Sequence, residues 1–544
     1  MKCRNLLETV FIFPDDATQR ENECTPTGNN NVSRKRNISP METSHDKANG
    51  KPNGNGTYYD EGDVSICPDA VLLKRRVGLL SGVALIVGTM IGSGIFVSPV
   101  EVLVRTGSVG TFLLVWLGGG IISLLGALSY AELGTMNNSA GAEYAYYLDA
   151  FGPVSAFLFS WVSSLVLKPS QLAIICLTFA QYFVEAFIDC QAPVLTVKLV
   201  CVSLICLLLF INCYSVAAAT GVQNVFTCAK LVAIGIICIG GAYKFSTGES
   251  ATKDFGFSDT IMSPGILAMA FYSASWSYDG WNNLNYCNQE LLDQSRNLPR
   301  SIMIAIPLVT ICYIFINVSY FFVMTPQDII DSPAVAVTFA SRIMGDWEGA
   351  KYLKWVVPLC VAVSTFGAAN GTLFVAGRLC FATSREGQFS DILSYIHIRR
   401  FTPVPALFFH AIIATFMIIA GDIETLIDFF SFTAWIFYGG AMLAVIVQRF
   451  TRPNAPRPYK VPIIFPWIVL LASVYLVLGP IIDKPQVEYL YAILFIVAGL
   501  IFYFPFVYFK LSIKFMVPVT IFLQKLLMVA PTDSPVSEEQ LAFL

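Results

Sequence analysis

The sequence predicts an all-α polytopic membrane protein with about twelve transmembrane helices. Composition is the first reason, because 55% of the 544 residues are hydrophobic and only 13% are charged, far more apolar than an ordinary soluble domain. The second reason is a series of long apolar runs along the chain. The third is that the first and sixth runs are both interrupted by glycine and polar residues.

Twelve apolar runs give approximate spans for the helices. Each run is close to the roughly 20 residues that cross a bilayer core of about 30 Å. In chain order, the predicted spans are residues 78–102, 111–133, 154–183, 195–212, 221–242, 263–288, 300–323, 354–382, 404–420, 425–448, 461–481 and 489–510.

These spans divide the chain into three parts. Residues 1–71 are rich in Asn, Ser, Thr, Gly and Lys and poor in apolar side chains, so we expect a disordered N-terminal tail. Residues 72–512 form the predicted twelve-helix domain, and residues 513–544 form a C-terminal tail. Fifteen Lys and Arg residues flank the helices on the side of the N-terminus, against seven on the opposite side, so both tails are predicted to be cytosolic.

The sequence "EAFIDCQAP" places Cys190 in the loop between the third and fourth helices, the only cysteine in a predicted external loop. An oxidising exterior favours an intermolecular disulfide with another subunit, although a free thiol or a misplaced loop would explain the position as well. The predicted external loops contain no asparagine and therefore no N-glycosylation site. A glycosylated partner subunit would compensate for that lack.

Two helices are predicted to be broken in corresponding positions. The first contains "GTMIGSGIF" (Gly88–Phe96), and the sixth contains "SWSYDGWNNLNY" (Ser275–Tyr286), where Gly280 lies among polar residues. Each helix begins a set of five. Interruptions in matching positions of two halves indicate a transporter of inverted repeats, with its binding site near the middle of the membrane.

The broken backbone itself suggests the ligand. In hydrocarbon an unpaired backbone group is costly, so non-helical backbone persists only where protein or a polar ligand satisfies it. An unwound stretch at Gly92, Ser93 and Gly94 would offer N–H donors to a carboxylate, at the positive end of a half-helix. Carbonyls near Met90 and in residues 276–279 would suit an ammonium. A site for a carboxylate beside a site for an ammonium matches an α-amino acid. The alternative is that Gly88 and Gly92 form a GxxxG helix-packing motif.

Five stretches carry a family resemblance: "GTMIGSGIFVSP", "KPSQLAIIC", "SYDGWNNLNY", "QELLDQSRNLPRSI" and "VSTFGAANGTLFVAGRLCFATSREGQFSDILS". They resemble the light subunits of heteromeric amino acid transporters, within the amino acid, polyamine and organocation superfamily. The resemblance covers residues 72–512 and is strongest to light chains that exchange cationic and neutral amino acids. It implies twelve helices, the first ten as two inverted sets of five, in the plasma membrane. It also implies a disulfide from Cys190 to a single-pass glycoprotein heavy chain.

The resemblance implies a role for each residue of the binding site. The backbone of Gly92, Ser93 and Gly94 would hold the substrate carboxylate, and Asn282 matches a polar residue that faces the site. Trp276 would close over the substrate as a gate. The α-ammonium would be bound by the carbonyls of Met90, Trp276, Ser277 and Asp279.

Two charged residues lie inside predicted helices. A carboxylate within the membrane is costly and usually functional, and the resemblance implies that Asp279 pairs with the side chain of a cationic substrate. The alternative is a structural aspartate bonded to helix-end N–H groups. Lys230, in "NVFTCAKLVAIG", matches a lysine of the resembled family. That lysine stands where sodium-coupled relatives of the same fold bind an ion, so the resemblance implies sodium-independent transport. The alternative is a lysine that extends toward the membrane surface.

Together these features predict a sodium-independent exchanger of cationic and large neutral L-amino acids that works by alternating access. The alternatives are a sodium-driven amino acid symporter on the same fold and a membrane receptor that senses amino acids. An enzyme is not expected, because the chain has only 3 His residues and neither metal-ligand spacing nor a nucleophile–base motif. We therefore predict no cofactor and no metal. Basic residues are spread along the loops, so no nucleic-acid partner is predicted either.

Overall fold

The computed structural model describes most of the chain beyond the predicted N-terminal tail. The described residues are 77–137, 141–187, 193–214, 230, 233–286, 288, 291–332, 334–344, 350–483, 485–511 and 516–531. The predicted disordered tail (residues 1–71) and Cys190 lie outside the described residues, as do residues 221–229 of the predicted fifth span.

The described chain is almost entirely helical. Its first ten helices are α1 (Leu79–Met90), α2 (Gly94–Thr106), α3 (Val109–Met136), α4 (Glu143–Phe151), α5 (Pro153–Val162), α6 (Lys168–Glu185), α7 (Val194–Tyr214), α8 (Ala233–Ser246), α9 (Pro264–Tyr278) and α10 (Asn283–Tyr286). The others are α11 (Gln294–Val323), α12 (Pro326–Ile330), α13 (Val335–Met344), α14 (Ala350–Arg385), α15 (Val404–Ala420), α16 (Ile423–Thr451), α17 (Ile464–Asp483), α18 (Val487–Phe502) and α19 (Met516–Leu527). Two short strands, β1 (Ile396–His397) and β2 (Val529–Ala530), pair antiparallel.

The predicted fold class is confirmed. Among the described residues, eight helical segments are long and apolar enough to cross a membrane, and α1 with α2 forms a ninth that is bent by 50°. The other three predicted spans correspond to α8, α9 and α15. One spanning segment runs from α5 into α6 through a π-helical stretch, Ser163–Leu167.

The structure also contains helices that hydropathy did not predict. Helix α4 lies between the second and third spans, and α12 and α13 lie between the seventh and eighth. They are short, with 9, 5 and 10 residues, so none produces an apolar run of membrane length. Helix α19 packs beside β2 and against the turn Asp391–Ser394 that follows α14.

The broken helices lie at the centre of the bundle. Helix α2 packs along α9, α3 packs along α11, and α14 packs along α6. Large aromatic side chains fill the space between α3, α9 and α11, where Trp116, Tyr278 and Tyr313 are all fully buried. The rings of Trp116 and Tyr313 meet edge to face with centroids 5.5 Å apart, so this layer fixes the spacing of the helices around the breaks.

Candidate binding site at the two helix breaks

The first break separates α1 from α2 by three residues. Ile91 leaves the helical conformation (ψ 83°), and the N–H of Gly92 donates to the carbonyl of Met90 at 2.8 Å in a tight turn. In the described structure the next three N–H groups, of Ser93, Gly94 and Ile95, donate to no backbone carbonyl. The available donors at the start of α2 are therefore those of residues 93–95, one position later than the predicted set of Gly92, Ser93 and Gly94.

The second break follows α9. Asp279 leaves the helix (ψ 142°), and Gly280 has a left-handed backbone with φ +102°. A Cβ at Gly280 would lie 3.1 Å from the hydroxyl oxygen of Thr89 in α1. Both the conformation and the close approach require glycine here, so the second break is packed directly against the helix that contains the first.

Tyr313 of α11 connects the two breaks. Its hydroxyl oxygen lies 2.6 Å from the carbonyl oxygen of Met90 and 2.7 Å from that of Ser277, two of the carbonyls predicted to bind an ammonium. A phenol has one proton, so it can donate to only one of them at a time. Tyr313 thereby holds together the ends of both first half-helices. This role could not be predicted from the sequence, because Tyr313 is a single polar group within an apolar run.

Gly94 and Gly92 differ in the space around them. A Cβ at Gly94 would lie 2.4 Å from the Cα of Ser277, so this glycine is required where α2 crosses α9. The hydroxyl of Ser277 donates to that of Ser98 at 3.0 Å across the same contact. A Cβ at Gly92 would meet nothing closer than 3.6 Å. Tight helix packing therefore involves Gly94 and not Gly92, one of the two glycines in the alternative interpretation.

Trp276 lies one turn before the second break. The side chain is 5% exposed and meets Phe430 of α16 edge to face, with ring centroids 5.1 Å apart. Its carbonyl accepts from the N–H of Asp279 at 3.1 Å. Its indole N–H has no hydrogen-bond partner among the described residues. The aromatic contact connects α9 to α16.

The carboxylate of Asp279 is held by side chains from two other helices. Tyr438 of α16 donates to Oδ1 at 3.1 Å, and the amide of Gln171 in α6 donates to Oδ2. Asp279 as a whole is half-buried. Both donors are neutral, so neither of these contacts cancels the negative charge of Asp279.

Asn282 is directed toward α4 by its hydrogen bond. Its amide donates to the carboxylate of Glu143 at 2.5 Å, and both side chains are buried. The resemblance implied a polar residue that faces the site, whereas this contact connects the second break to the helix between the second and third spans.

Lys230 is buried next to the first half-helix. Its side chain is 1% exposed, and its ammonium donates to the carbonyl of Gly88 in α1 at 2.9 Å. A lysine that extended to the membrane surface would keep its charged end in water, which this side chain does not. The structure thus places a fixed positive charge against the helix that leads into the first break.

An ionic cluster, the outer ionic cluster, connects α2, α9 and α16 at the end of α2 that lies away from the first break. Arg105, at the end of α2, contacts both oxygens of Asp428 in α16 at 2.9 Å and Glu424 at 3.1 Å. It also donates to the carbonyl of Met269 and the hydroxyl of Ser273 in α9, at 2.7 and 3.1 Å. Arg105 is one of the seven basic residues predicted on the external side of the membrane. Its 6% exposure shows that it joins α2, α9 and α16 instead.

Near the C-terminal ends of α3 and α16, the carboxylate of Glu132 in α3 links the two helices. This buried carboxylate accepts from Arg449 Nε at 2.9 Å and from the N–H of Val461 at 2.9 Å, and it lies 3.3 Å from Arg457 Nε. Within the described ranges, no group of three or more His, Cys, Asp or Glu side chains could hold a metal ion.

Membrane-spanning helices that break around a shared polar site define a helical membrane transport protein. Consistent with this class, residues 77–523 match the amino acid permease family, and the chain belongs to it. The chain is 50% identical over 464 residues to b(0,+)-type amino acid transporter 1 of Mus musculus. The matched region covers 85% of this chain and 94% of the relative. The human protein of that name is 49% identical over 469 residues, 86% of this chain and 95% of the relative.

A second group of relatives is more distant. Large neutral amino acids transporter small subunit 2 of Mus musculus is 42% identical over 435 residues, 78% of this chain and 80% of the relative. These matches confirm the resemblance to the light subunits of heteromeric amino acid transporters, and the family match extends from residue 77 to residue 523.

Proposed function

We propose that this protein is a sodium-independent exchanger of cationic and large neutral L-amino acids. The observation that carries the proposal is the pair of breaks, with three available N–H donors on one side and two carbonyls on the other. Relatives named b(0,+)-type amino acid transporter and large neutral amino acids transporter support this substrate class. The protein would act as a light chain in the plasma membrane, with both termini in the cytosol.

The two breaks divide the work of recognition. The N–H groups of residues 93–95 bind the substrate carboxylate. The carbonyls of Met90 and Ser277 bind the α-ammonium, and the hydroxyl of Tyr313, which can donate to only one of them, gives up that bond. These groups contact only the part that all α-amino acids share. Side-chain selection then depends on Trp276 and Asp279, where an aromatic surface accepts large neutral side chains and a carboxylate accepts cationic ones.

The position of Lys230 supports sodium independence. Its ammonium already supplies a positive charge at the carbonyl of Gly88, next to the first break. A bound sodium ion would have to share that site against electrostatic repulsion. A sodium-driven symporter is therefore less consistent with the structure than an exchanger.

The outer ionic cluster supports alternating access. Arg105 joins α2 to α9 and α16, the same three helices that surround the breaks. Opening the site on this side would require separation of Arg105 from Asp428. Because this ion pair is buried, its opening would be accompanied by hydration of both charges.

Reconstitution with a heavy chain in liposomes tests the function. We expect uptake of labelled arginine and leucine that requires amino acid inside the vesicles and is unchanged when choline replaces sodium. Uptake that stops without sodium would establish the symporter instead. Binding without uptake would establish a receptor.

The partner subunit gives a separate prediction. Cys190, which lies outside the described residues, is proposed to form a disulfide with a single-pass glycoprotein heavy chain. We expect a larger complex on a non-reducing gel that separates on reduction, and no such complex in Cys190→Ser. Cys206→Ser is the matched control, because Cys206 is an exposed free cysteine within α7. An unchanged complex in Cys190→Ser would contradict the proposed disulfide.

A further inference from the structure

Lys168 is connected to Asp279 through one intervening side chain, that of Gln171. Lys168 and Gln171 are three residues apart at the start of α6, so they share one face of the helix. The Lys168 ammonium lies 3.4 Å from Oε1 of Gln171, and the amide nitrogen of Gln171 donates to Oδ2 of Asp279. An ammonium, an amide and a carboxylate therefore form a continuous chain.

The chemistry of the three groups determines which atom of the Gln171 amide faces each neighbour. An ammonium only donates and a carboxylate only accepts, whereas a primary amide does both. The carbonyl oxygen of Gln171 must therefore face Lys168, and its nitrogen must face Asp279. The Gln171 side chain is 9% exposed, so the amide cannot exchange either contact for bulk water without moving.

A second contact holds the Lys168 ammonium away from Asp279. It lies 5.6 Å from the ring centroid of Tyr286 in α10, within the range of a cation–π interaction. Tyr286 and Gln171 thus hold the positive charge of Lys168 on the side of Gln171 that faces away from Asp279. Asp279 is hydrogen-bonded but not neutralised, because its two donors, the amide of Gln171 and the hydroxyl of Tyr438, are both uncharged.

We propose that Gln171 is a positioning residue for substrate specificity: its amide keeps Lys168 from pairing with Asp279, so that the carboxylate remains free to bind a cationic substrate side chain. The inference rests on the proposed function of Asp279. Without the amide, the Lys168 ammonium would be free to approach the carboxylate of Asp279 and compete with the cationic side chain of the substrate.

The test is Gln171→Leu in the full-length chain with its heavy chain, measured as arginine and leucine uptake per transporter at the surface. Leucine has a similar size but neither donates nor accepts. We expect the KM for arginine to rise about tenfold, as for the loss of one charge-assisted contact, with the KM for leucine within about twofold of the original. Lys168→Met alone is the control, and it should leave the KM for arginine no higher than in the unchanged protein.

The double variant Lys168→Met/Gln171→Leu separates competition from structural damage. We expect it to regain an arginine KM within about threefold of the original, because the competing ammonium is gone. A Gln171→Leu variant that weakens both substrates equally, or that the second substitution does not rescue, would overturn the proposal. So would an unchanged arginine KM. If Gln171→Leu does not reach the surface, Gln171→Met with the same double variant replaces it.

A parallel measurement of Asp279→Asn distinguishes a failure of the proposed role of Asp279 from a failure of the proposed role of Gln171. If Asp279→Asn does not change the ratio of arginine to leucine uptake, the proposed role of Asp279 itself is wrong. If Asp279→Asn changes that ratio and Gln171→Leu does not, only the inference about Gln171 is wrong.

Discussion

Replacement of Asp279 with Asn is expected to remove most arginine uptake and to leave leucine uptake nearly unchanged. Asparagine has the same shape, and its amide can still engage the side chains of Gln171 and Tyr438, so the local structure should persist. Only the charge is lost. A hydrogen bond to a charged group contributes roughly 1.5–3 kcal/mol, which corresponds to a loss of about tenfold or more in kcat/KM for arginine.

The control for this prediction is Asp428→Asn, a second carboxylate of the bundle that pairs with Arg105 in the outer cluster. That change disturbs the helix contact rather than the substrate, so arginine and leucine uptake should fall together. Labelled uptake of both amino acids in the same vesicles measures the difference. Equal losses of arginine and leucine in Asp279→Asn would instead indicate a structural aspartate.

The features that could be predicted from the sequence are those that depend on local composition. Apolar runs identify membrane helices because the bilayer sets their length, and glycine identifies the breaks because each break needs an unusual backbone. Gly280, with its left-handed conformation, is an example. The membrane spans and the positions of both breaks therefore follow from the sequence, whereas the family follows from the resemblance of several motifs.

The contacts that complete the site could not be predicted in this way. Gln171 and Tyr438 lie 108 and 159 residues from Asp279, and Arg105 lies 323 residues from Asp428. Each is a single polar residue within or beside an apolar helix, with no local pattern that distinguishes it from other polar residues. Their partners follow from how the helices pack, which hydropathy does not determine.

The first break contains a further distinction that only the structure makes. Gly92 and Gly94 are equivalent in the sequence, since both lie in "GTMIGSGIF" and both were predicted to bind the substrate carboxylate. In the structure a Cβ at Gly92 has ordinary van der Waals contacts, whereas a Cβ at Gly94 would overlap the backbone of Ser277. One glycine therefore leaves room beside the available N–H groups, and the other permits a helix crossing.

Alanine substitutions should separate these two roles. Gly94→Ala is expected to lower the melting temperature and the surface amount of the transporter, because a contact of 2.4 Å to backbone can be relieved only if α2 moves away from α9. Gly92→Ala should preserve both quantities. Its methyl group would nevertheless hold a substrate carboxylate away from the N–H groups of Ser93 and Gly94, and loss of a charged hydrogen bond reduces uptake by about tenfold or more.

The decisive feature of Gly92→Ala is that arginine and leucine uptake should fall by the same factor. The substrate carboxylate is common to both, whereas Asp279 is proposed to discriminate between them, so the two sites predict different patterns of loss. Thermal unfolding of the purified complex and uptake of both amino acids provide the measurements. A Gly92→Ala protein that transports normally would show that the substrate carboxylate binds elsewhere. A stable and active Gly94→Ala protein would contradict the close crossing of α2 and α9.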